Sequence, residues 1–170
     1  MGKLQALITK IKQTPMSVGA LKKVLPRHST FKLLSQLTEH RSALFKNHRC
    51  IVVLIPSDFS KLGHFVVLTA FPKYIEYFSS LGGSPVKETQ KLGQDGTTLM
   101  KLLGKNYTYN SKPLQAQSTK IEDCALHVLC RLQLKDLKLR EYQGLFTSKV
   151  HLSSPDDIVA MLTILSVIDL

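Results

Sequence analysis

The sequence predicts an α+β fold: a small, mostly antiparallel central sheet packed between helices, with a chemically suggestive cysteine at the N-terminus of a buried helix. Three stretches carry this prediction. Cys50–Pro56 (Cys-Ile-Val-Val-Leu-Ile-Pro) is apolar on both faces of an extended chain, as in a strand at the centre of a sheet. His64–Phe71 and Tyr74–Ser80 are rich in β-branched and aromatic residues and flank the turn residues Pro72 and Lys73, which reads as a hairpin. From Cys124 onward, Ala125, Leu126, Val128, Leu129, Leu132 and Leu134 recur at helical spacing.

Taken in order, Gly2–Thr14 reads as a helix with Leu4, Leu7, Ile8 and Ile11 on one face, ended by Pro15. Ser17–Leu25 is a second short helix, stopped before Pro26. Ser29 or Thr30 caps a third, with Phe31, Leu33, Leu34, Leu37, Leu44 and Phe45 on its apolar side. The loop Ser57–Gly63 leads from the first strand into the hairpin, which the run from Leu81 to Pro85 ends. Gly96–Leu103 is a short helix and Tyr107–Asn110 a short strand that delivers the chain to the Cys124 helix. Asp136–Tyr142 is a further helix, ended near Gly144. Ser154-Pro155-Asp156-Asp157 is a helix start: a cap, a proline at the first position and acids in the first turn. The nearly all-apolar helix that follows, Pro155 to about Ile168, belongs in the core.

The chain has 170 residues and 44% hydrophobic content, which suits one domain with a substantial core and excludes disorder. Its parts are a basic helical N-terminal part over 1–49, a core over 50–134 and C-terminal helices over 135–170. Three cysteines give no disulfide framework and no metal-ligand spacing, so no metal is expected. Free thiols suit a reducing intracellular setting. Met1–Thr14 is amphipathic and lysine-bearing, unlike a signal peptide, and no apolar run is long enough to span a membrane. Charge is unevenly placed. Residues 1–50 hold ten Lys and Arg (Lys3, Lys10, Lys12, Lys22, Lys23, Arg27, Lys32, Arg41, Lys46, Arg49) against the single acid Glu39, in a chain of net charge +11. Such a region attracts a polyanion, and nucleic acid is the usual one. Without aromatic–lysine interleaving, contact should be with phosphates and sensitive to salt.

The chemistry gathers around Gln115–Cys130, polar up to Asp123 and apolar beyond it. Asp123 is a good N-cap residue, so Cys124 opens the helix, where the helix dipole favours a thiolate. Sixty residues upstream, His64 begins a strand, and antiparallel pairing brings it near Ser79 at the end of the returning strand. His64 is then placed to take the proton of Cys124.

Gly63-His64-Phe65, then Tyr77-Phe78-Ser79-Ser80-Leu81-Gly82, then Gln117 with Cys124-Ala125 seven residues on, resemble in order the motifs of the adenain-like cysteine proteases. These are maturation proteases of adenoviruses and of related virus-like DNA transposons, akin to the SUMO-specific proteases. The resemblance covers about residues 50–134. It implies Cys124 as nucleophile, His64 as general base and Gln117, with the Cys124 N–H, as oxyanion stabiliser. Gln115 competes with Gln117 but lies two residues off the family spacing.

Three positions depart from the family pattern. Ser79 stands where the family has an acid. A serine can orient the imidazole but cannot stabilise imidazolium as a carboxylate does, so a dyad or a slower enzyme is expected. Glu76 is three residues earlier and faces the other side of a regular strand, while Asp58, in the preceding loop, is a reserve partner for His64. Phe65 stands for a tryptophan, and Ala125 for a glycine whose conformational freedom the oxyanion site needs if the native φ is positive. His127, three residues after Cys124, is a rival base or, more plainly, a helix histidine bonded to a neighbour. Cys130 reads as core, and Cys50 as core or a surface thiol.

Together these imply a cysteine endopeptidase that cleaves precursor structural proteins of a DNA virus or virus-like element through a thioester. A small residue, often glycine, is expected at the cleavage side, because the family's clefts are narrow. The resemblance further implies DNA and an activating peptide as cofactors, with Cys50 a candidate partner for a cysteine of that peptide, and the host nucleus or virion as location. The alternatives are an isopeptidase acting on a ubiquitin-like tail, or a degenerate member that only binds DNA or capsid protein, which Ser79 and Ala125 motivate.

Overall fold

The computed structural model describes residues 2–116, 123–147 and 154–168. Its centre is a five-stranded sheet in sequential order: β1 (Ser29–Leu33), β2 (Cys50–Ile55), β3 (His64–Ala70), β4 (Ile75–Phe78) and β5 (Tyr107–Tyr109). The fold is α+β, as the sequence predicts. The sheet is mixed: β2–β3 and β3–β4 are antiparallel, whereas the outer pairings β1–β2 and β4–β5 are parallel. Parallel neighbours need crossovers. The segment 34–49 carries the chain from β1 to β2. From β4 to β5 it passes through α4 (Pro85–Lys91) and α5 (Thr97–Leu103).

The remaining helices are α1 (Gly2–Gln13), α2 (Val18–Val24), the single turn α3 (Arg41–Leu44), α6 (Cys124–Gln133), α7 (Leu139–Thr147) and α8 (Pro155–Ile168). Ser154 and Asp157 close the start of α8 reciprocally. The Asp157 N–H donates to Ser154 Oγ at 3.2 Å, and the Ser154 N–H to Asp157 Oδ2 at 3.3 Å. Among the described residues no helix is long and apolar enough to cross a membrane.

Strand alternation divides the core in two. Cys50, Val52, Phe65, Val67 and Phe78 face α6, α7 and α8, joined by Leu21 of α2. Ile51, Val53, Ile55, Val66, Leu68, Ile75 and Tyr77 face Leu99, Leu102 and Leu103 of α5 together with Leu34 and Leu37. The both-faced burial of β2 is what its unbroken apolar run requires. Cys50 and Cys130 are both core residues, and Cys50, fully buried, lies against the hydroxyl of Thr69.

The third helix expected after Ser29 is instead β1, followed by a 3₁₀ turn at Leu34–Gln36 and the short α3. Thr30 is β-branched and Phe31 aromatic, and the backbone groups of this segment find partners on the open edge of β2. The apolar residues that suggested one helix face are divided: Leu34 and Leu37 reach the far core, while Leu33 is exposed. Two other expectations shift. In α1, Ile8 is buried and Ile11 packs on the core, but Leu4 and Leu7 are exposed. Helix α7 begins three residues later than predicted and runs through Gly144, whose missing side chain faces open space.

One buried ion pair joins sheet to helix. The Arg131 guanidinium of α6 donates to both carboxylate oxygens of Glu76 in β4, Nε to Oε1 at 2.8 Å and Nη2 to Oε2 at 3.0 Å. Its remaining donors reach the carbonyls of Leu134 and Leu137, and its plane lies over the Tyr142 ring. Both side chains are essentially sealed from water. Removing one member strands the other charge in a dry interior, typically costing about 3–5 kcal/mol, whereas an apolar pair of similar volume is near neutral. Arg131→Met should therefore lower the unfolding free energy by roughly 3–5 kcal/mol in urea titration. Pairing it with Glu76→Leu should recover most of that loss.

Candidate active site

His64 opens β3 directly opposite Ile55, the last residue of β2. Ser79 follows β4 by one residue. The hairpin register brings the two side chains together as its antiparallel pairing predicts, with His64 Nε2 and Ser79 Oγ 2.9 Å apart and both buried. Cys124 is the first residue of α6, which packs on β3. His64, Phe65, Cys124, Ala125 and Gln115 line one cavity of about 390 Å³. Its other walls are mainly apolar: Met16 from the α1–α2 connection, Val18 at the start of α2, Leu54 of β2, Leu62, Leu81 and Leu92. The N-terminal part therefore forms one side of this cleft.

The hydroxyl of Ser79 is fully engaged. It donates to Glu88 Oε1 at 2.6 Å, and it accepts the Leu81 N–H at 3.2 Å. Glu88 comes from α4, an element the sequence reading missed. That carboxylate also accepts the Tyr77 hydroxyl on Oε2 at 2.5 Å and the Gly83 N–H on Oε1 at 2.9 Å. Burial pushes the Glu88 carboxyl up, and the bonds from Ser79, Tyr77 and Gly83 oppose that shift. A signal for α4 is present in Ser84-Pro85: Ser84 caps the Lys87 N–H, and the proline sits in the first turn.

The other candidates separate clearly. Glu76 faces away from Ser79, as strand parity predicts, and is occupied by Arg131. Asp58 accepts a bond from Gln94 Nε2 at 2.6 Å and makes no contact with His64. Gln115 lies in the cleft wall, its amide oxygen accepting the Ser80 hydroxyl at 2.7 Å. Gln117 lies outside the described residues. Ala125 sits inside α6, and among the described residues no non-glycine residue has positive φ, so an alanine fits there without strain.

His127 is fully buried on α6. Its Nε2 is 2.9 Å from Asp156 Oδ1 of α8 and 3.8 Å from Asp123 Oδ1. Asp156 Oδ2 accepts the Ala116 N–H at 3.1 Å, so this cluster also holds the backbone at Ala116. It is the bonded helix histidine rather than a rival base. Asp123, His127 and Asp156 place one ligand atom each within 4.8 Å of one another and could accept a cation. They also set two acids at two helix N-termini, a placement the helix dipoles favour by themselves. Asp123 does not act as the predicted side-chain cap. Among the described residues its carboxylate has no hydrogen-bond donor, and burial, reinforced by Asp156 and opposed by His127, raises it to about 6.

The electrostatics at the sulfur also differ from expectation. The helix N-terminus was expected to favour a thiolate, yet Cys124 is pushed up to about 11. Burial dominates, and the Asp123 carboxylate adds to it. The backbone N–H groups of Phe65 and Ala125 offset only part. His64 is lowered to about 4, chiefly by burial and further by His127. At rest the proton therefore stays on sulfur, and the imidazole is neutral.

No known protein family matches the chain, and no curated protein does. Among solved structures it is similar to a SUMO protease, Ulp1, with its catalytic cysteine oxidized to a sulfinic acid, at 14% identity and a TM-score of 0.35. That similarity covers 94% of this chain and 76% of the Ulp1 chain.

The lowered His64 pKa has a direction in stability. The unfolded chain takes up this proton near pH 6.5, whereas the folded one holds the ring neutral down to about 4. Folding is therefore penalised as pH falls through that window, by at most roughly 3 kcal/mol below it. His64→Gln should flatten the acid limb of a stability-versus-pH curve between pH 6.5 and 4, measured by urea unfolding. An unchanged limb would show that His64 is not held neutral.

Proposed function

We propose that this chain is a cysteine peptidase that uses Cys124 and His64. The observation that carries the reading is the shared cleft. A cysteine at the start of a buried helix and a histidine with one ring nitrogen already bonded open into the same apolar cavity. Because Nε2 is held by Ser79, Nδ1 is the nitrogen for the thiol. As the sulfur attacks a backbone carbonyl, Nδ1 takes its proton. The oxyanion forms near the Cys124 N–H at the positive end of α6, with a glutamine side chain as second donor. His64 then returns the proton to the leaving amine, and water hydrolyses the thioester. Proton transfer that accompanies attack suits a thiol near 11 and an imidazole near 4 better than a standing ion pair does.

The substrates we infer are precursor structural proteins of a DNA virus or virus-like element, cut beside a small residue, with cleavage stimulated by DNA. The motif order over residues 50–134 supports this reading. So does the basic N-terminal part that walls the cleft. Of its cations, Lys12 pairs with Asp157, Arg41 reaches the carbonyls of Phe71 and Tyr74, and Arg49 pairs with Asp136. Lys10, Lys23, Arg27 and Lys46 are exposed and supply the surface for phosphates.

Per-cysteine mass spectrometry after iodoacetamide treatment tests the chemistry. Cys124 should react faster than the buried Cys50 and Cys130 at neutral pH, and His64→Ala should slow it about 100-fold or more. Equal labelling of all three cysteines, or indifference to His64→Ala, overturns the peptidase reading in favour of a binding module. A peptide panel with and without duplex DNA tests the substrate class. Cleavage next to glycine or alanine, enhanced by DNA and lost at high salt, is expected. Turnover only of a ubiquitin-like tail would point to an isopeptidase.

A further inference from the structure

We propose that Glu88 is a positioning residue for His64: acting through the Ser79 hydroxyl, it fixes the ring in the tautomer that leaves Nδ1 bare to receive the Cys124 proton. Its importance for catalysis rests on the peptidase reading; the tautomer does not.

Donors and lone pairs around Ser79 fix where each hydrogen lies. A hydroxyl has one proton to give and two lone pairs to receive with. Ser79 Oγ has three partners: Glu88 Oε1 at 2.6 Å, the Leu81 N–H at 3.2 Å and His64 Nε2 at 2.9 Å. The Leu81 N–H can only donate. Glu88 as a carboxylate has no proton to give, and its Oε1 also receives the Gly83 N–H at 2.9 Å, so it acts as acceptor. The single Ser79 proton therefore goes to Glu88, and both lone pairs receive. His64 Nε2 must then carry its hydrogen, and Nδ1 must be bare. Without an acceptor at Glu88, the Ser79 proton is free to turn to the ring, which would place the hydrogen on Nδ1 and block it as a base.

The surroundings are built for this carboxylate. Glu88 is 4% exposed, and the bonds it receives come from three places on the chain: Tyr77 in β4, the Ser79 hydroxyl and the Gly83 backbone. Gly83 is required by proximity. A Cβ there would lie 2.6 Å from Glu88 Cγ and 2.7 Å from Oε1, so any side chain at 83 would displace the carboxylate. Asn110 fixes the Ser79 backbone from the other side, its Oδ1 accepting the Ser79 N–H at 2.9 Å. The acid that strand alternation could not supply at 79 thus arrives from α4, one bond further from the ring.

Nitrogen-15 NMR of the His64 ring in the full chain tests this directly, because it distinguishes the two neutral tautomers. The wild type should show Nε2–H alone. Glu88→Gln should keep it, since the amide oxygen can still accept from Ser79 and Gly83 while the NH₂ faces Tyr77. Glu88→Met, of similar length with no acceptor, should give a tautomer mixture and slow Cys124 alkylation about 10- to 100-fold. Should Glu88→Met fail to fold, Ser79→Ala breaks the same relay with a smaller change and should give the same mixture. A single Nε2–H tautomer in both Glu88→Met and Ser79→Ala overturns the proposal. A mixture without any loss of Cys124 reactivity upholds the relay and instead sinks His64 as the base of the proposed reaction.

Discussion

The buried pair between Glu76 and Arg131 sets the position of α6 against the sheet, and the site depends on that position. Glu76 lies in β4, three residues before Ser79. Arg131 lies on α6, seven residues after Cys124. Holding one against the other with two short bonds fixes the helix that carries the sulfur relative to the hairpin that carries the imidazole. Such a pair contributes little net stability, because desolvating both charges offsets most of their attraction. What it supplies here is geometric: a bidentate fork admits one helix register where an apolar contact would tolerate several. The His127–Asp156 bond makes a second tie, from the same helix to α8 and the backbone at Ala116.

Cys124 and His64 reach the cleft from opposite faces of the sheet. By strand alternation Phe65 belongs to the α6 side and His64 to the side of α4 and α5. They meet because His64 is the first residue of β3, at the end of the sheet where the two layers open. This explains why the partner of Ser79 comes from α4, on the far layer, and why Glu76 on the near layer is spent on α6 instead. The same burial that makes the cleft apolar keeps the thiol and the imidazole neutral at rest. In the reaction proposed above, the charges of both groups would form only as the reaction proceeds.

Much of this was legible in the chain. The central strand, the hairpin and the helices at Cys124 and Pro155 announce themselves through local pattern: an unbroken apolar run, alternation around a proline turn, a 3.6-residue period and a proline-and-acid helix start. The meeting of His64 with Ser79 was legible for the same reason, since a short hairpin leaves little freedom of register. Strand β1 was not, because Ser29–Leu33 is held extended by pairing with β2, whose partner residues lie 21 positions further along the chain. Helix α4 was missed at Ser84-Pro85, although the same two residue types marked the start of α8 correctly.

The sequence by itself therefore determined the α+β class, the order of its main elements and the candidate pair His64 and Cys124, because each follows from local periodicity and residue chemistry. Tertiary structure alone decided the rest. It sent the Ser79 proton to Glu88, turned Asp123 from a helix cap into a buried carboxylate facing His127, and reversed the expected ease of ionising Cys124. These outcomes depend on burial and on donors brought from distant segments. A helix N-terminus favours a thiolate only while water or a partner charge remains nearby, and that is a property of the packed fold rather than of the neighbouring residues.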